Sequence, residues 1–488
     1  MSAILIIAFL FSFTLVSYRF FKKTRDGMPP SPPSLPLLGH LHHLLLNPQI
    51  HQALSKLSAN TGPYFHIRLF KVPVIVVSSA SVAQEFFKEN DINISSRGLP
   101  AVDEALIFGE YGVINSPYGI YWKQMKKLML VNLLGSQAIV NSRGVRAEEL
   151  QRFFSILVDK AAKSETVDMS KEAFKLVSDV MCRMSLGRRF REEDGELEKL
   201  NSLITESSRL VKKMFVAVVV RRSWIGRLLT FKRHIMFVSA KFDEFLERIL
   251  EEYEAEPNKD QKSEMLDAFL KAYRDENAEL KVTWNNIKSF YAELFIGAID
   301  TSATTITWAV AELLKNHEVL KKLRAEIDCV VGKKRRVQEG DIAKLPYLQA
   351  VVKETLRLHP PGPLLPREVQ QACEVGGFVI PERTALILNV YQIMRDPEVW
   401  ENPLIFAPER FVASTERDKV IKHVPFGSGR RACPGAVLGT TVVATAVAIL
   451  VHGFDLVIEG ALNMEEHLEG AVLAMAHSPK ISLATRLE

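Results

Sequence analysis

The sequence predicts a mainly α-helical fold with small β-sheets, one large domain carried behind an N-terminal transmembrane anchor. Three observations lead there. An apolar run from Ala3 to Tyr18 is followed by Arg19, Lys22, Lys23 and Arg25. Patterns of helical period dominate from Val82 to about Leu358, and β-rich runs are confined to short segments on either side of that region. At 488 residues the chain exceeds the usual single-domain size, and composition alone leaves open several domains or one α-rich unit. With no internal repeat, and no low-complexity stretch outside the anchor and a proline segment, one large domain is the reading.

Taken in order, residues 1–21 form the anchor. The apolar run is slightly short for a span of ~20 residues, but Arg19 can snorkel and Phe20 and Phe21 extend it. A cleaved signal peptide is the rival, yet it needs basic residues before the run, and here they follow it. The positive-inside rule then leaves everything after Lys22 in the cytosol, with the endoplasmic reticulum membrane as the expected location. Residues 22–39 read as a basic, proline-rich hinge, since PPSPPSLPLLG (Pro29 to Gly39) resists both helix and central strand. The domain fills 40–488. It opens with two β-rich runs, Tyr64 to Phe70 and Val72 to Ser78, and contains a long helix from Asn285 to Lys315. CEVGGFVI and TALILNVY then read as short strands, the first folded at Gly376-Gly377, and Ala436 to Val451 as a buried helix.

Hydrophobic content of 47% with 24% charged residues is ordinary, and a net charge of +5 is too small to argue for nucleic acid. Cys182, Cys329, Cys373 and Cys433 form no CxxC pair, so neither a zinc site nor a disulfide scaffold is indicated. The first three are expected to be small buried fillers.

Chemistry concentrates in FGSGRRACPG, Phe426 to Gly435. Its glycines leave room for a flat, large cofactor to approach the backbone. Cys433 precedes Pro434 near the start of an apolar helix, where free N–H groups and the dipole favour an anionic sulfur. Placement alone leaves a second possibility open, a redox or alkylatable thiol with no metal. Phe426, Gly429, Arg431, Cys433 and Gly435 match F-x-x-G-x-R-x-C-x-G at every fixed position, and with each residue type near ~5% of ordinary composition a chance match is on the order of one in several thousand. Here the chain resembles the cytochrome P450 family. The resemblance implies haem b with its iron held by Cys433, Phe426 packed near the sulfur and Arg431 reaching a propionate. Such a thiolate pushes electron density onto bound oxygen and favours O–O cleavage.

Other segments carry the same resemblance. In KETLR, Glu354 and Arg357 share a helical face, and FAPERF supplies Arg410, completing the family's three-member structural network. GAIDTSA, Gly297 to Ala303, resembles [AG]-G-x-[DE]-T-[TS] and makes Asp300 and Thr301 the expected proton relay. Glycine, aspartate, threonine and serine are poor helix-interior choices, and Thr301, four residues after Gly297, can bond that carbonyl and leave a notch. The alternative is a mere kink with capped polar groups. Ala298 stands where the family usually has glycine. YWKQMKKL resembles a W-x-x-x-[RK] helix and offers Trp122 and Lys126 to a propionate, and LHPPGPLLPRE offers Arg367. Lys123, Lys127 and Arg430 are left for a basic face toward an acidic electron donor.

Resemblance to plant membrane-bound members spans nearly the whole chain and is greatest to a crucifer subfamily associated with triterpenoid metabolism, with flavonoid-oxidising relatives next. Against that pattern the chain looks short around Glu256 to Gln261, and Asn316-His317-Glu318 lacks a proline. By position, Gly98 to Ser116, Phe295, Ala298 and Ile299 on the long helix, Gly362 to Leu365 with Pro363 and Leu364, and Val472 to Ala474 with Leu473 fall in the family's substrate-facing regions, an apolar set suited to a hydrophobic substrate. No G-x-G-x-x-G occurs in the chain, so NADPH would act through a separate cytochrome P450 reductase. The expected activity is oxygen insertion into, or oxidative cleavage of, a plant triterpenoid. A flavonoid oxidase, a reductase-independent dehydratase or isomerase, and a haem-binding sensor without turnover are the alternatives.

Overall fold

The computed structural model describes residues 27–35, 38–47, 49–70, 72–98, 105–191, 193–220, 231–255, 263–412 and 423–487. The expected anchor (1–21), the first part of the hinge and the segment 256–262 lie outside the described residues. Helix α1 (Ile50–Thr61) leads into strands β1 (Tyr64–Leu69) and β2 (Val72–Val77), followed by α2 (Ala80–Lys88) and α3 (Ile120–Met129). Between α2 and α3 the chain is mostly irregular rather than helical. A helical body then runs through α4 (Arg143–Ala162), strand β3 (Val167–Asp168), α5 (Met169–Leu186), α6 (Glu196–Val220), α7 (Phe231–Ala255), α8 (Glu264–Arg274), α9 (Trp284–Lys315), α10 (His317–Val331) and α11 (Pro346–Leu358). Strands β4 (Leu365–Glu368), β5 (Cys373–Val375), β6 (Phe378–Ile380) and β7 (Ala385–Leu388) come next. Last are α12 (Ala436–Gly453), β8 (Phe454–Ile458), β9 (Glu466–Glu469), β10 (Val472–Met475) and β11 (Lys480–Thr485).

The long helix, α9, is the spine. Thr283 and Asn286 close a capping box at its start, Thr283 Oγ1 accepting from the Asn286 amide at 3.2 Å and Asn286 Oδ1 from the Thr283 amide at 2.9 Å. It packs on α5 and α12, and both α9 and α12 are apolar enough to cross a membrane but mostly buried within the fold. A helix apolar on most of its circumference is either a span or a core element, and burial makes these two core elements.

The main sheet has the order β1-β2-β7-β4, with β2 and β7 parallel and the other pairs antiparallel. TALILNVY is therefore a strand only as far as Leu388, beyond which Asn389 caps a short helical turn. The β5–β6 hairpin turns at Gly376 and Gly377, with φ of 59° and 77°. Of the three cysteines expected as buried fillers, Cys182 is buried, Cys373 half-buried and Cys329 exposed. Cys329 lies on the outer face of amphipathic α10, where Val319, Leu320, Leu323 and Ile327 take the inner one.

Candidate active site

A cavity of about 360 Å3 brings together α3, α9, β4, the cysteine loop and the chain before α3. Its stripe on α9 runs from Phe290, Glu293 and Leu294 through Gly297, Ala298 and Thr301 to Ser302 and Thr305, the i+3/i+4 spacing of one helical face. Gly297 opens into it, since a Cβ there would meet no heavy atom within 4 Å. The Thr301 hydroxyl donates to the Gly297 carbonyl at 2.8 Å, and the helix continues unbroken through this bond. Asp300 is half-buried beside the stripe, outside the cavity lining.

Phe426, Cys433 and Gly435 line the same cavity. The loop closes on itself through the Cys433 amide, which donates to the Phe426 carbonyl at 2.9 Å. Its glycines serve different ends. Gly429 has φ 72°, and a Cβ there would fall 2.0 Å from Asp91 Oδ1. That carboxylate also accepts from the Arg430 amide at 3.0 Å, so Gly429 admits a tether rather than a cofactor. Gly435 lies at the cavity wall, with only the Cys433 sulfur near its Cβ position, at 3.9 Å. Burial pushes the Cys433 thiol up, against the opposing pull of the Gly435 N–H and of Arg97. Since Gly435 is the N-cap, the sulfur precedes helix α12, facing the cavity, with the Gly435 N–H aimed at it. A bound cation deprotonates a coordinating thiol outright and reverses that balance.

Three guanidiniums border the cavity. Arg431 Nε donates to the Ser95 carbonyl at 2.7 Å and Nη1 to that of Val113 at 3.2 Å, while Nη2 bonds the Ser116 carbonyl. Arg367, buried on β4, donates to the Pro366 carbonyl at 2.9 Å. Arg97 is delivered beside it by the bridge between Ser96 and Glu368, and its buried Nε has no protein partner. Burial, then the proximity of Arg97, holds Arg431 down at about 10. Burial, then Arg97 and Arg431, holds Arg367 down at about 9. Among the described residues none of the three makes a contact ion pair, although Glu293 lies near Arg97 and Arg431.

Trp122 lies under two cations, Lys126 Nζ and the Arg431 guanidinium, each 4.7 Å from its ring. Lys126 donates to the Arg430 carbonyl at 3.0 Å and lines the cavity. Lys123 and Lys127 are exposed on α3, while Arg430 pairs with Asp91. On α11, Glu354 Oε2 receives Arg357 Nε at 2.7 Å and Oε1 receives Arg357 Nη2 at 2.8 Å and Arg410 Nε at 3.1 Å. Arg357 Nη1 also donates to the carbonyls of Met394 and Pro403, at 2.9 and 2.7 Å.

Of the six side chains expected to face substrate, Ala298 lines the cavity. Phe295 packs on Phe190 and Tyr291, with ring centroids 5.6 and 6.1 Å away, and Ile299 is fully buried. Both fall off the stripe by helical phase. Pro363 accepts from the Tyr391 amide at 3.1 Å, Leu364 packs against the β1–β2 core, and the buried Leu473 accepts from Trp308 Nε1 at 3.1 Å. Within the expected segment Gly362 to Leu365 it is Gly362 and Leu365 that form the wall, with Pro361 just before them. Within Gly98 to Ser116, Val113 and Ile114 reach the cavity, and residues 99–104 lie outside the described residues.

Two residues were missed from sequence. Arg97 has no motif of its own and adjoins the segment read only as substrate-facing. Glu293 is buried at the cavity, its Oε2 accepting from the amides of Val113 and Ile114 at 2.6 and 3.0 Å. Burial raises its carboxyl to about 7 despite those bonds and the nearby Arg97 and Arg431. A lone carboxylate in the apolar stretch Phe290 to Ile296 was the available signal.

The family description "Cytochrome P450" matches residues 29–483. Cytochrome P450 705A22 of Arabidopsis thaliana is 53% identical, over 99% of this chain and 96% of its own length. The 3,9-dihydroxypterocarpan 6A-monooxygenase of Glycine max is 39% identical, over 91% of both chains. A zebrafish cytochrome P450 structure with progesterone superposes with a TM-score of 0.74 at 23% identity, over 89% of this chain and 99% of that one, a likeness of fold. The residues present fit the haem that this fold implies. A bis-propionate macrocycle needs a thiol on one wall, a flat opening and buried cations, and Cys433, Gly297 with Gly435, and the Arg97, Arg367 and Arg431 cluster meet those needs.

Proposed function

Because the chain belongs to the cytochrome P450 family, whose members are monooxygenases using a thiolate-bound haem and electrons from NADPH through a reductase, we propose that Cys433 is the residue whose thiolate would hold the haem iron here. The observation that carries this reading is that Cys433, Gly297 and Thr301 line one cavity bordered by three buried guanidiniums. Haem, when bound, supplies oxygen activation, with the thiolate favouring O–O cleavage.

The chain's own residues do the rest. Arg97, Arg367 and Arg431 would hold the two propionates, which would relieve the guanidiniums' mutual repulsion, and Trp122 and Lys126 would assist them. Gly297 leaves space beside the helix, and Thr301 keeps a hydroxyl proton on the Gly297 carbonyl, ready to be turned into the cavity. Asp300 resupplies that proton. Ala298 narrows the opening by one methyl.

Leu294, Ala298, Val352, Leu356 and Leu365 make the wall apolar, which supports a bulky hydrophobic substrate arriving from the membrane that residues 1–21 enter, taken to be the endoplasmic reticulum. Resemblance to the crucifer subfamily favours a triterpenoid, hydroxylated or oxidatively cleaved. A flavonoid-type phenolic is the second reading, supported by the likeness to the soybean pterocarpan monooxygenase.

Microsomal co-expression with a plant reductase tests this. The expected result is a thiolate-type reduced carbonyl spectrum, lost in Cys433→Ser, and reductase-dependent NADPH oxidation with an oxygenated product from a triterpenoid panel. A product from the phenolic panel alone would select the second reading. Retention of the thiolate-type spectrum by Cys433→Ser would refute the ligand assignment.

A further inference from the structure

One cluster of buried ionisable groups lies behind the cavity, and none of its members lines it. His359 ends α11, and its ring stacks on Trp308 of α9 with centroids 3.8 Å apart and planes 2° from parallel. His359 Nε2 is 2.7 Å from Glu312 Oε1, and Nδ1 is 3.3 Å from Glu466 Oε1. Glu466, the first residue of β9, also accepts from the Tyr391 hydroxyl at 2.9 Å, and lies 3.4 Å from Arg395 Nη2 and 3.7 Å from His51 Nε2. Burial works against its charge, but His359, His51 and Arg395 hold the carboxyl well below the usual range. Four groups, His51, His359, Tyr391 and Arg395, thus converge on one largely buried anion.

The cluster touches the cavity wall from behind. His359 is followed by Pro360, then by Pro361 and Gly362, which line the cavity, and the same segment continues to Leu365 and Arg367 on β4. Pro361 is held again from the other side, its carbonyl accepting from the Leu473 amide at 2.9 Å, while the Leu473 carbonyl accepts from Trp308 Nε1 at 3.1 Å. Trp308 follows Thr301 by two helical turns on α9. Hydrogen bonds, ion pairs and a stacked ring therefore clamp the Pro361–Leu365 wall to the helix that carries the Gly297 opening.

We propose that Glu466 is a positioning residue which, through His359 and Trp308, fixes the separation between the Pro361–Leu365 wall and α9 and so sets how bulky a molecule fits beside Cys433. The inference rests on the haem-thiolate reading above. Neutralising Glu466 leaves Arg395 and His51 without their anion, and the wall loses its anchor on β9. Tyr391→Phe removes one hydrogen bond and no charge, so its effect has the same sign and smaller size.

The test uses the haem-loaded enzyme and two probes of different bulk, imidazole and 4-phenylimidazole, titrated by the absorbance change on binding iron. In Glu466→Gln, imidazole affinity stays within about twofold while 4-phenylimidazole affinity changes by about tenfold, a difference of about 1.4 kcal/mol. Tyr391→Phe changes the 4-phenylimidazole affinity by about threefold. If Glu466→Gln takes up no haem, Tyr391→Phe decides the question. A variant with an intact thiolate-type spectrum and an unchanged affinity ratio overturns the proposal, as does a parallel change for both probes. A wild-type enzyme lacking that spectrum overturns the haem-thiolate reading, and this inference falls with it.

Discussion

At the scale of single residues, Glu293 makes a pH-dependent prediction. Its carboxyl is raised to about 7, so the folded chain keeps a proton that the unfolded chain has already lost at lower pH. Stability therefore falls as pH rises from the ordinary carboxylate range to about 7 and levels off above it, with a slope of up to about 1.4 kcal/mol per pH unit. Glu293→Gln still accepts from Val113 and Ile114 but does not titrate. Melting temperatures of the haem-loaded variant across about pH 5 to 8 are expected to lack that fall, by comparison with wild type. An unchanged slope would assign it to other groups. Gly429→Ala tests a different residue-scale feature. The positive φ costs about 1–3 kcal/mol for a residue with a Cβ, and the Asp91 carboxylate must also move. Gly435→Ala, with φ −87° and no close contact except the sulfur, is expected to affect haem uptake more than melting temperature. Cys433, Arg431 and Thr301 were legible because fixed spacing marked them. Arg97 was not, because what makes it part of the site is a strand bridge to Glu368, a contact more than two hundred residues distant in sequence. Phe295 and Ile299 were placed by segment, and helical phase then moved them behind the wall.

At the scale of elements, a buried network that performs no chemistry ties α11 to the segment from Met394 to Arg410. Glu354 and Arg357 are completely buried and paired two-fold, and Arg357 also satisfies carbonyls of the Met394–Ile405 segment. Removing one partner of a buried pair costs about 3–5 kcal/mol, because the remaining charge stays desolvated. Glu354→Ala is expected to abolish haem uptake and lower the melting temperature sharply. Arg410→Ala, whose partner is only partly exposed to the loss since Arg357 remains bidentate, is expected to fold with reduced thermal stability. Differential scanning with a reduced carbonyl spectrum on each sample reads both. The long elements were the legible ones. Helix α9 begins one residue before its expected start and ends where expected, and β1 and β2 each stop one residue short of the expected runs. The stretch between α2 and α3 was read as helical and is mostly irregular, because its backbone groups are taken up by side chains from elsewhere. The Glu293 carboxylate binds the amides of Val113 and Ile114, and the Arg431 guanidinium binds the carbonyls of Ser95, Val113 and Ser116. Periodicity carries no trace of such long-range partners.

At the scale of the whole molecule, the site is a hollow between the helical body and the β4 sheet, walled by cations whose carboxylate neighbour, Glu293, keeps its proton up to about pH 7. Arg97 has a buried Nε without a partner, and burial with mutual repulsion lowers Arg367 to about 9 and Arg431 to about 10. A ligand that binds only the folded state stabilises it by RT ln(1 + [L]/Kd), about 2.7 kcal/mol at a hundredfold excess over Kd. Haem also fills space between α9 and the cysteine loop, so the haem-depleted chain is expected to melt well below the loaded one. The arginines divide that gap in a testable way. Arg97→Leu removes a cation whose neighbouring carboxylate, Glu293, keeps its proton up to about pH 7, so below that pH the depleted chain should be no less stable, or slightly more, since the desolvation of an uncompensated charge is relieved. The loaded chain should instead lose stability, because a propionate loses its partner. The difference between loaded and depleted melting temperatures therefore shrinks from both ends. Arg431→Leu must behave otherwise, since its three carbonyl bonds tie the chain before α3 to the cysteine loop whether or not haem is present. Both the loaded and the depleted forms of that variant are expected to melt lower. If Arg97→Leu destabilised the depleted chain as much as the loaded one, Arg97 would be a structural residue like Arg431, and the cationic cluster would owe its place to the fold alone.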